Sequence, residues 1–267
     1  MSTRTSTRRR PTWSTTPTLR LEREIQRGLP EGPRLVAGMD EVGRGALAGP
    51  VSVGMCVIDA STGTAPQGVK DSKLLAPAVR HALVPRLRRW AVAYGVGHAG
   101  ADEIDAIGIL AALRLAGRRA LDQVVAGGVR PEVIILDGNH DWFTEADQVG
   151  LLAFAGDGPV HPPVQTLIKA DQRCASVAAA SVLAKVERDT MMAELAASDG
   201  GVYAHYGWEI NKGYSAPAHI AALAAHGPCQ HHRRSWCLPG VGEVLVERVG
   251  ESPAGHELRH DEGMGGS

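Results

Sequence analysis

Apolar residues fall along this chain in two kinds of run, short blocks and long spaced stripes. The blocks are Leu35–Asp40, Pro50–Ile58, Tyr94–Ala99, Val133–Leu136 and Val164–Lys169. Each has the length and residue types of a β-strand. The second is expected antiparallel to the first, and the unbroken Val133-Ile134-Ile135-Leu136 run marks a strand buried on both faces. A helix is predicted over Ala76–Val92, with Pro85 expected to kink it. A long helix is predicted from Ala101, capped by Asp102, with Ile104, Ile107, Leu110, Leu113 and Leu121 on one face. Cys174–Asp189 is a helix dense in Ala and Ser, able to lie close on a sheet. Shorter helices are expected over Leu19–Arg27 and Ala216–Ala225. Thr62–Gly68, Gly138–Pro163 and Tyr203–Tyr214 read as loops, and no internal repeat is visible.

Composition narrows the class. A chain of 267 residues has room for one large domain or two small ones. Hydrophobic content of 44% and charged content of 21% fit a globular protein in water. The net charge of −1 does not advertise a nucleic-acid binder, but its distribution is uneven. Residues 1–34 carry eight arginines against three glutamates, and residues 241–267 carry six acids against two arginines. Basic and acidic ends of this kind read as solvated tails. Met1–Thr16 is rich in Ser, Thr, Arg and Pro and is expected to be disordered, as is Gly240–Ser267. Four irregularly spaced cysteines point to a reducing compartment. No apolar run reaches membrane-spanning length, and no apolar segment follows the basic start. A cytoplasmic protein is expected.

The chemistry concentrates where strands end. Leu35–Met39 runs directly into two acids, Asp40 and Glu41, and then Gly43-Arg44-Gly45. Successive strand residues point to opposite faces, so both acids share a site only if the path changes sharply there. The glycines allow such a change and open backbone N–H groups to a ligand, with Arg44 as a cation beside them. The competing reading is an ordinary surface turn. Asp137 and Asp171 also follow apolar strands. Strand ends of one sheet converge in space, and four carboxylates together need a cation to stay ionised. Mg²⁺ is typically held by a few carboxylates plus substrate phosphate, and a pair of such ions clamps both oxygens of a phosphodiester displacement.

The segments Gly38–Gly45 with Gly49-Pro50, Asp71–Leu74, Leu136–Gly138, Lys169–Asp171, Ala178–Asp189 and Asn211–Tyr214 resemble the ribonuclease HII family, in order, over roughly Leu35–Trp236. The resemblance implies an α/β ribonuclease H-like fold, a central mixed β-sheet flanked by helices, with a small C-terminal helical extension. It implies two divalent ions, Mn²⁺ or Mg²⁺, and cleavage of RNA in RNA–DNA hybrids and at single ribonucleotides in DNA. Asp40, Glu41, Asp137 and Asp171 match the family's catalytic, metal-binding carboxylates. Gly43, Arg44 and Gly45 match its ribose-reading loop, and Tyr214 matches its stacking tyrosine. Ser181 and Lys185, four apart on one helix face, and Lys73 are candidate phosphate ligands, with a capping or solvated role as the competing reading. One departure is a long loop between Asp137 and Asp171 containing His140, Asp141, Trp142 and His161, read as a surface insertion.

The domain reading is a basic, disordered segment over 1–33, a catalytic domain over 34–237 with its helical part near 200–237, and an acidic tail over 238–267. Cys229–Cys237 brings soft ligands together but lacks paired zinc spacing; the resemblance implies that this segment is a loop near the substrate, with Arg233 and Arg234 facing phosphate or solvent. The expected partners are hybrid duplex and ribonucleotide-containing DNA, with no membrane, no sliding-clamp motif in the tail and a monomeric state. The rival readings are a type 3 ribonuclease H and a non-catalytic hybrid-binding protein. The polar 34 residues before the first strand argue against the first, since they are too few for an added domain. The four acids argue against the second.

Overall fold

A computed structural model of the chain describes residues 16–144 and 161–241. The expectations for the two tails therefore fall almost wholly outside the described residues, as does the middle of the long loop. Five strands form one sheet: β1 (Val36–Val42), β2 (Val51–Ile58), β3 (Ala93–Ala99), β4 (Val133–Asp137) and β5 (Val164–Leu167). Their order is β3-β2-β1-β4-β5. β2 is antiparallel to both β1 and β3, while β4 and β5 run parallel to β1. The sheet is mixed, as expected.

Period-2 alternation along β1 divides the core in two. Ala37 and Met39 face α4 (Ile109–Ala126), together with Val53, Met55, Ile134 and Leu136. Gly38 and Asp40 face the other way, toward α5 (Ala175–Ala197). That helix packs its alanines with Cys56, Val96 and the Leu83 and Leu87 side chains of α2 (Pro77–Trp90). Gly38 is where the two backbones meet. A Cβ there would collide with the Ser176 and Val177 main chain, and one at Gly54 with the Ala180 carbonyl.

Several expectations are corrected. The long helix from Ala101 is two helices, α3 (Ala101–Ile107) and α4, broken at Gly108, whose φ is 78°. Glu103, not Asp102, closes the start of α3, with Oε2 accepting from the Gly100 N–H at 2.9 Å. Ile107 and Leu110 flank the break and stay exposed, so only part of the foreseen stripe reaches the core. As expected, Pro85 lies inside a single helix, α2, on its exposed side, where water can satisfy the carbonyl it frees.

The first 33 residues are not simply a disordered segment. α1 (Arg20–Gly28) docks Leu21 and Ile25 against Val36, Ile135 and Val177. Its Glu22 is fully buried and accepts from the Ser176 N–H and hydroxyl at the start of α5. The long loop also starts inside the protein. Trp142 and Phe143 enter the core under α4, where a Cβ on Gly117 would lie 2.8 Å from the Phe143 ring. Asp141 closes the turn by accepting from the Phe143 and Thr144 N–H groups. Of the four residues noted in that loop, only His140 is exposed.

Past α5, the short helix α6 (Trp208–Asn211) and α7 (Pro217–His226) gather Tyr206, Trp208 and Leu223 against Met192, Leu47 and Ala48. This is the foreseen helical extension, and it rests on the turn that follows β1. Adding a methyl group at the helix–sheet contact tests the packing directly. Gly54→Ala should cost about 1–3 kcal/mol, read by denaturant unfolding. A variant as stable as the parent would mean that α5 does not lie at backbone distance from β2.

Candidate active site

The register brings the acids together. β1 and β4 pair in parallel from Val36↔Val133 to Met39↔Leu136, so Asp40 and Asp137 are the next residues on neighbouring strands. Neighbouring strands lie about 5 Å apart. β5 ends one strand further on, and Lys169 then takes a left-handed conformation, φ 56°, that turns the chain into a short 3-10 turn, Ala170–Gln172. That turn returns Asp171 to the site. The Ala170 N–H donates to Asp137 Oδ1 at 2.6 Å, tying the turn to the end of β4. No sharp bend separates Asp40 from Glu41, contrary to expectation: β1 continues to Val42. Both acids still reach the cluster because β1 outruns its pairing with β4, leaving that side of Glu41 open.

The electrostatics are those of crowded carboxylates. Burial drives the Asp40 carboxyl well above the usual range, and Glu41, Asp137 and Asp171 push it further, against a hydrogen bond from Ser181. Asp171 is raised to about 6, by burial and then by Asp137 and Asp71. Glu41 is raised by burial, offset by Arg44, whose guanidinium lies 3.6 Å away. Burial works to lower Lys73, yet Asp40, Asp71, Asp171 and Asp137 together outweigh it and raise that ammonium. Lys73 thus stands beside the acids as a partial counter-charge. Among the described residues no group of three or more His, Cys, Asp or Glu side chains stands close enough together to hold a metal ion without moving. An open set of repelling oxygens nonetheless fits a hard divalent ion, which completes its shell with water and phosphate. Asp40, Glu41, Asp137 and Asp171 are the residues that would hold it.

The glycine turn sits beside the acids. Arg44 and Gly45 are exposed, while Gly43 is buried with φ 83°. A Cβ on Gly43 would strike the Arg188 side chain, whereas Gly45 has open space around it. The Gly43 N–H donates to the Tyr214 hydroxyl at 3.2 Å. Tyr214 borders a groove of about 720 Å³ lined also by Arg80, His81, Lys185, Asp189 and Lys212.

Two candidate phosphate ligands are otherwise engaged. Ser181 is buried, shares a 2.8 Å hydrogen bond with Ser72 and faces Asp40, so it meets a carboxylate rather than incoming phosphate. Lys185 forms an ion pair with Asp189 at the groove wall. Arg234 is exposed as expected, but Arg233 is fully buried behind the glycine turn. Cys229 Sγ lies 3.3 Å from His232 Nδ1, and His232 joins His219 and Trp208 in a buried hydrogen-bonded chain. Sequence reasoning missed Asp71 as a neighbour of Asp171, although its place in the polar run Lys70–Lys73 was a signal. It also gave no role to Arg188, although that residue stands in the Ala178–Asp189 segment that carries the resemblance.

Fold and acid cluster together define a metal-dependent nuclease of the ribonuclease H-like class. The family model described as Ribonuclease HII matches residues 37–239. A ribonuclease HII from Streptomyces avermitilis is 46% identical over 220 residues, spanning 82% of this chain and 83% of the relative. One from Streptomyces griseus is 47% identical over 220 residues, spanning 82% and 84%. The crystal structure of ribonuclease H2 from Pyrococcus horikoshii aligns with a TM-score of 0.55 at 29% identity, covering 76% of this chain and 94% of that one. The chain belongs to the ribonuclease HII family, and it is a metal-dependent ribonuclease H.

The raised Asp171 makes a prediction for metal-free protein. The fold keeps this proton up to about pH 6, whereas the unfolded chain releases it near the ordinary carboxylate value. Its contribution to stability is full below that ordinary value and disappears as pH rises through about 6. Asp171→Asn, melted in chelator, should therefore gain at neutral pH and lose part of the pH dependence. About 2–4 °C is expected for each kcal/mol of relieved repulsion. An unchanged melting curve at pH 7 would show that crowding is not what raises this group.

Proposed function

We propose that this ribonuclease nicks the RNA strand of RNA–DNA hybrids, and the 5′ side of ribonucleotides embedded in duplex DNA, through four carboxylates that hold two divalent ions. The observation that carries this reading is the convergence of Asp40, Asp137 and Asp171 at one end of parallel strands, each raising a neighbour's affinity for a proton. Such a cluster is costly for an inert binder and useful for holding cations. The ions, Mn²⁺ or Mg²⁺, supply Lewis-acid charge and an activated water when bound. A ribonuclease HIII of the same fold, 21% identical with a TM-score of 0.54, has been crystallised with Mn²⁺.

The chain's own residues position the substrate. Asp40 faces Ser181 and accepts from the Glu41 N–H at 2.9 Å, and Asp137 accepts from the Ala170 N–H at 2.6 Å, so both carboxylates are aimed before substrate arrives. Lys73 adds positive charge beside the scissile phosphate. Water attacks phosphorus in line, the bond to the upstream 3′ oxygen breaks, and 3′-hydroxyl and 5′-phosphate ends result. Gly43–Gly45 approach the ribose through the main chain and read its 2′-hydroxyl, which deoxyribose lacks. Tyr214 packs on the next sugar and points the duplex into the groove it borders. The biological task consistent with this chemistry is removal of ribonucleotides from DNA and of RNA primers. A ribonuclease HII from Archaeoglobus fulgidus was solved in complex with PCNA.

Two experiments test it. Asp137→Asn or Asp171→Asn should lower cleavage at least about a hundredfold while leaving hybrid binding intact; near-normal turnover in Mg²⁺ would remove that residue from the ligand set. Gly45→Val should abolish cutting at a single embedded ribonucleotide without loss of folding, because the space around Gly45 is open. Gly43→Val is a poorer probe, since it collides with Arg188 at a positive φ. Tyr214→Ala should impair the single-ribonucleotide duplex more than a long hybrid. Equal cutting of that duplex by parent and Gly45→Val would exclude the turn from recognition.

A further inference from the structure

Two arginines lie fully buried behind the glycine turn, Arg188 and Arg233. Among the described residues neither forms an ion pair with a carboxylate. Both are satisfied by main-chain carbonyls instead. Arg188 donates to Ala48, Pro50 and Lys212. Arg233 donates to Arg44 at 2.7 Å, to Gly43 at 2.6 Å, and to Gly49 at 3.3 and 3.2 Å. Its guanidinium is seated over Trp236, 4.8 Å from the ring centre, and its own N–H is tied to the Leu47 carbonyl at 3.0 Å. Burial and the nearby Arg188 charge lower its affinity for a proton, so this cation is held at a cost. A space filler would be cheaper as an apolar side chain.

The direction of the carbonyls shows what the guanidinium achieves. In a planar trans peptide, C=O and the following N–H point opposite ways. Arg233 draws the Gly43 and Arg44 carbonyls inward, so the N–H groups of Arg44 and Gly45 are turned outward. Both residues are exposed, and neither N–H has an acceptor among the described residues. We propose that Arg233 is the positioning residue of the glycine turn, fixing the Arg44 and Gly45 N–H groups as an outward donor pair for the oxygens of a ribose 2′-hydroxyl and its adjoining phosphate. The inference rests on the reading that this turn recognises ribose. It adds the part that makes the turn rigid, a residue 189 positions away from Arg44 in sequence. Only a planar fork of donors reaches three carbonyls at once, and a lysine ammonium has neither the shape nor the reach.

The test compares Arg233→Lys and Arg233→Gln with the parent and with Gly45→Val. The substrates are a DNA duplex carrying one ribonucleotide and a uniform RNA–DNA hybrid of equal length, both in Mn²⁺, with kcat and KM measured separately and melting curves as the fold control. At least one Arg233 variant should fold and lose about ten- to a hundredfold in kcat on the single-ribonucleotide duplex, the scale expected of a misplaced reactive group. KM should change little, and the uniform hybrid should lose clearly less. Folded variants with equal losses on both substrates, or none, would overturn the assignment. Failure of both variants to fold would overturn it as well, because Arg233 would then be a folding determinant and nothing more. If Gly45→Val leaves both substrates untouched, the ribose-reading role of the turn fails instead, whatever Arg233 does.

Discussion

Helix α5 lies on β1 and β2 at backbone distance, and most of the site follows from that contact. Gly38 and Gly54 lack the Cβ that would hold the helix off, and the helix answers with Ser176, Val177 and Ala180. α4 approaches β3 in the same way, over Gly95 and Gly97. The sheet is thus clamped between two helices that cannot slide without a main-chain collision. Along α5 the consequence is positional. Ser181 faces Asp40, Lys185 reaches the groove wall, and Arg188 stands behind Gly43.

Two buried acid problems are solved differently in one molecule. Glu22 on α1 is raised by burial and partly relieved by hydrogen bonds, its Oε1 accepting from a main-chain N–H and a hydroxyl where α5 begins while its Oε2 is buried without a partner among the described residues. The favourable end of that helix's dipole faces it. Asp40 and Asp171 have less such help, and mutual repulsion is left standing. Lys73 supplies part of the missing charge, consistent with a site that stays folded before metal and substrate arrive.

The glycine turn and the helical extension are mechanically joined. The Gly43 N–H meets the Tyr214 hydroxyl, and the Leu47 and Ala48 N–H groups both meet the Gly213 carbonyl. His219 holds the Tyr214 carbonyl from α7 and leans on His232 within the buried cluster. The helical extension is therefore bonded directly to the glycine turn that leaves β1 with its two acids.

Strand content, the mixed sheet, the small-residue helix and the four acids were all legible in the sequence. They rest on local signals: apolar blocks, Ala and Ser density, and carboxylates directly after strands. Pairing register, in contrast, decided that β1 runs straight through Asp40–Glu41, because a ladder with β2 outlasts the one with β4. Tertiary burial turned Trp142 and Phe143 from a presumed surface loop into core, and set the buried Ser181 against Ser72 and Asp40. Arg233 is the plainest case. In sequence it is one of two adjacent arginines in a polar run, indistinguishable from Arg234. One points inward to three carbonyls and the other outward to solvent. That choice depends on where the chain returns to the β1 turn, which no local pattern encodes.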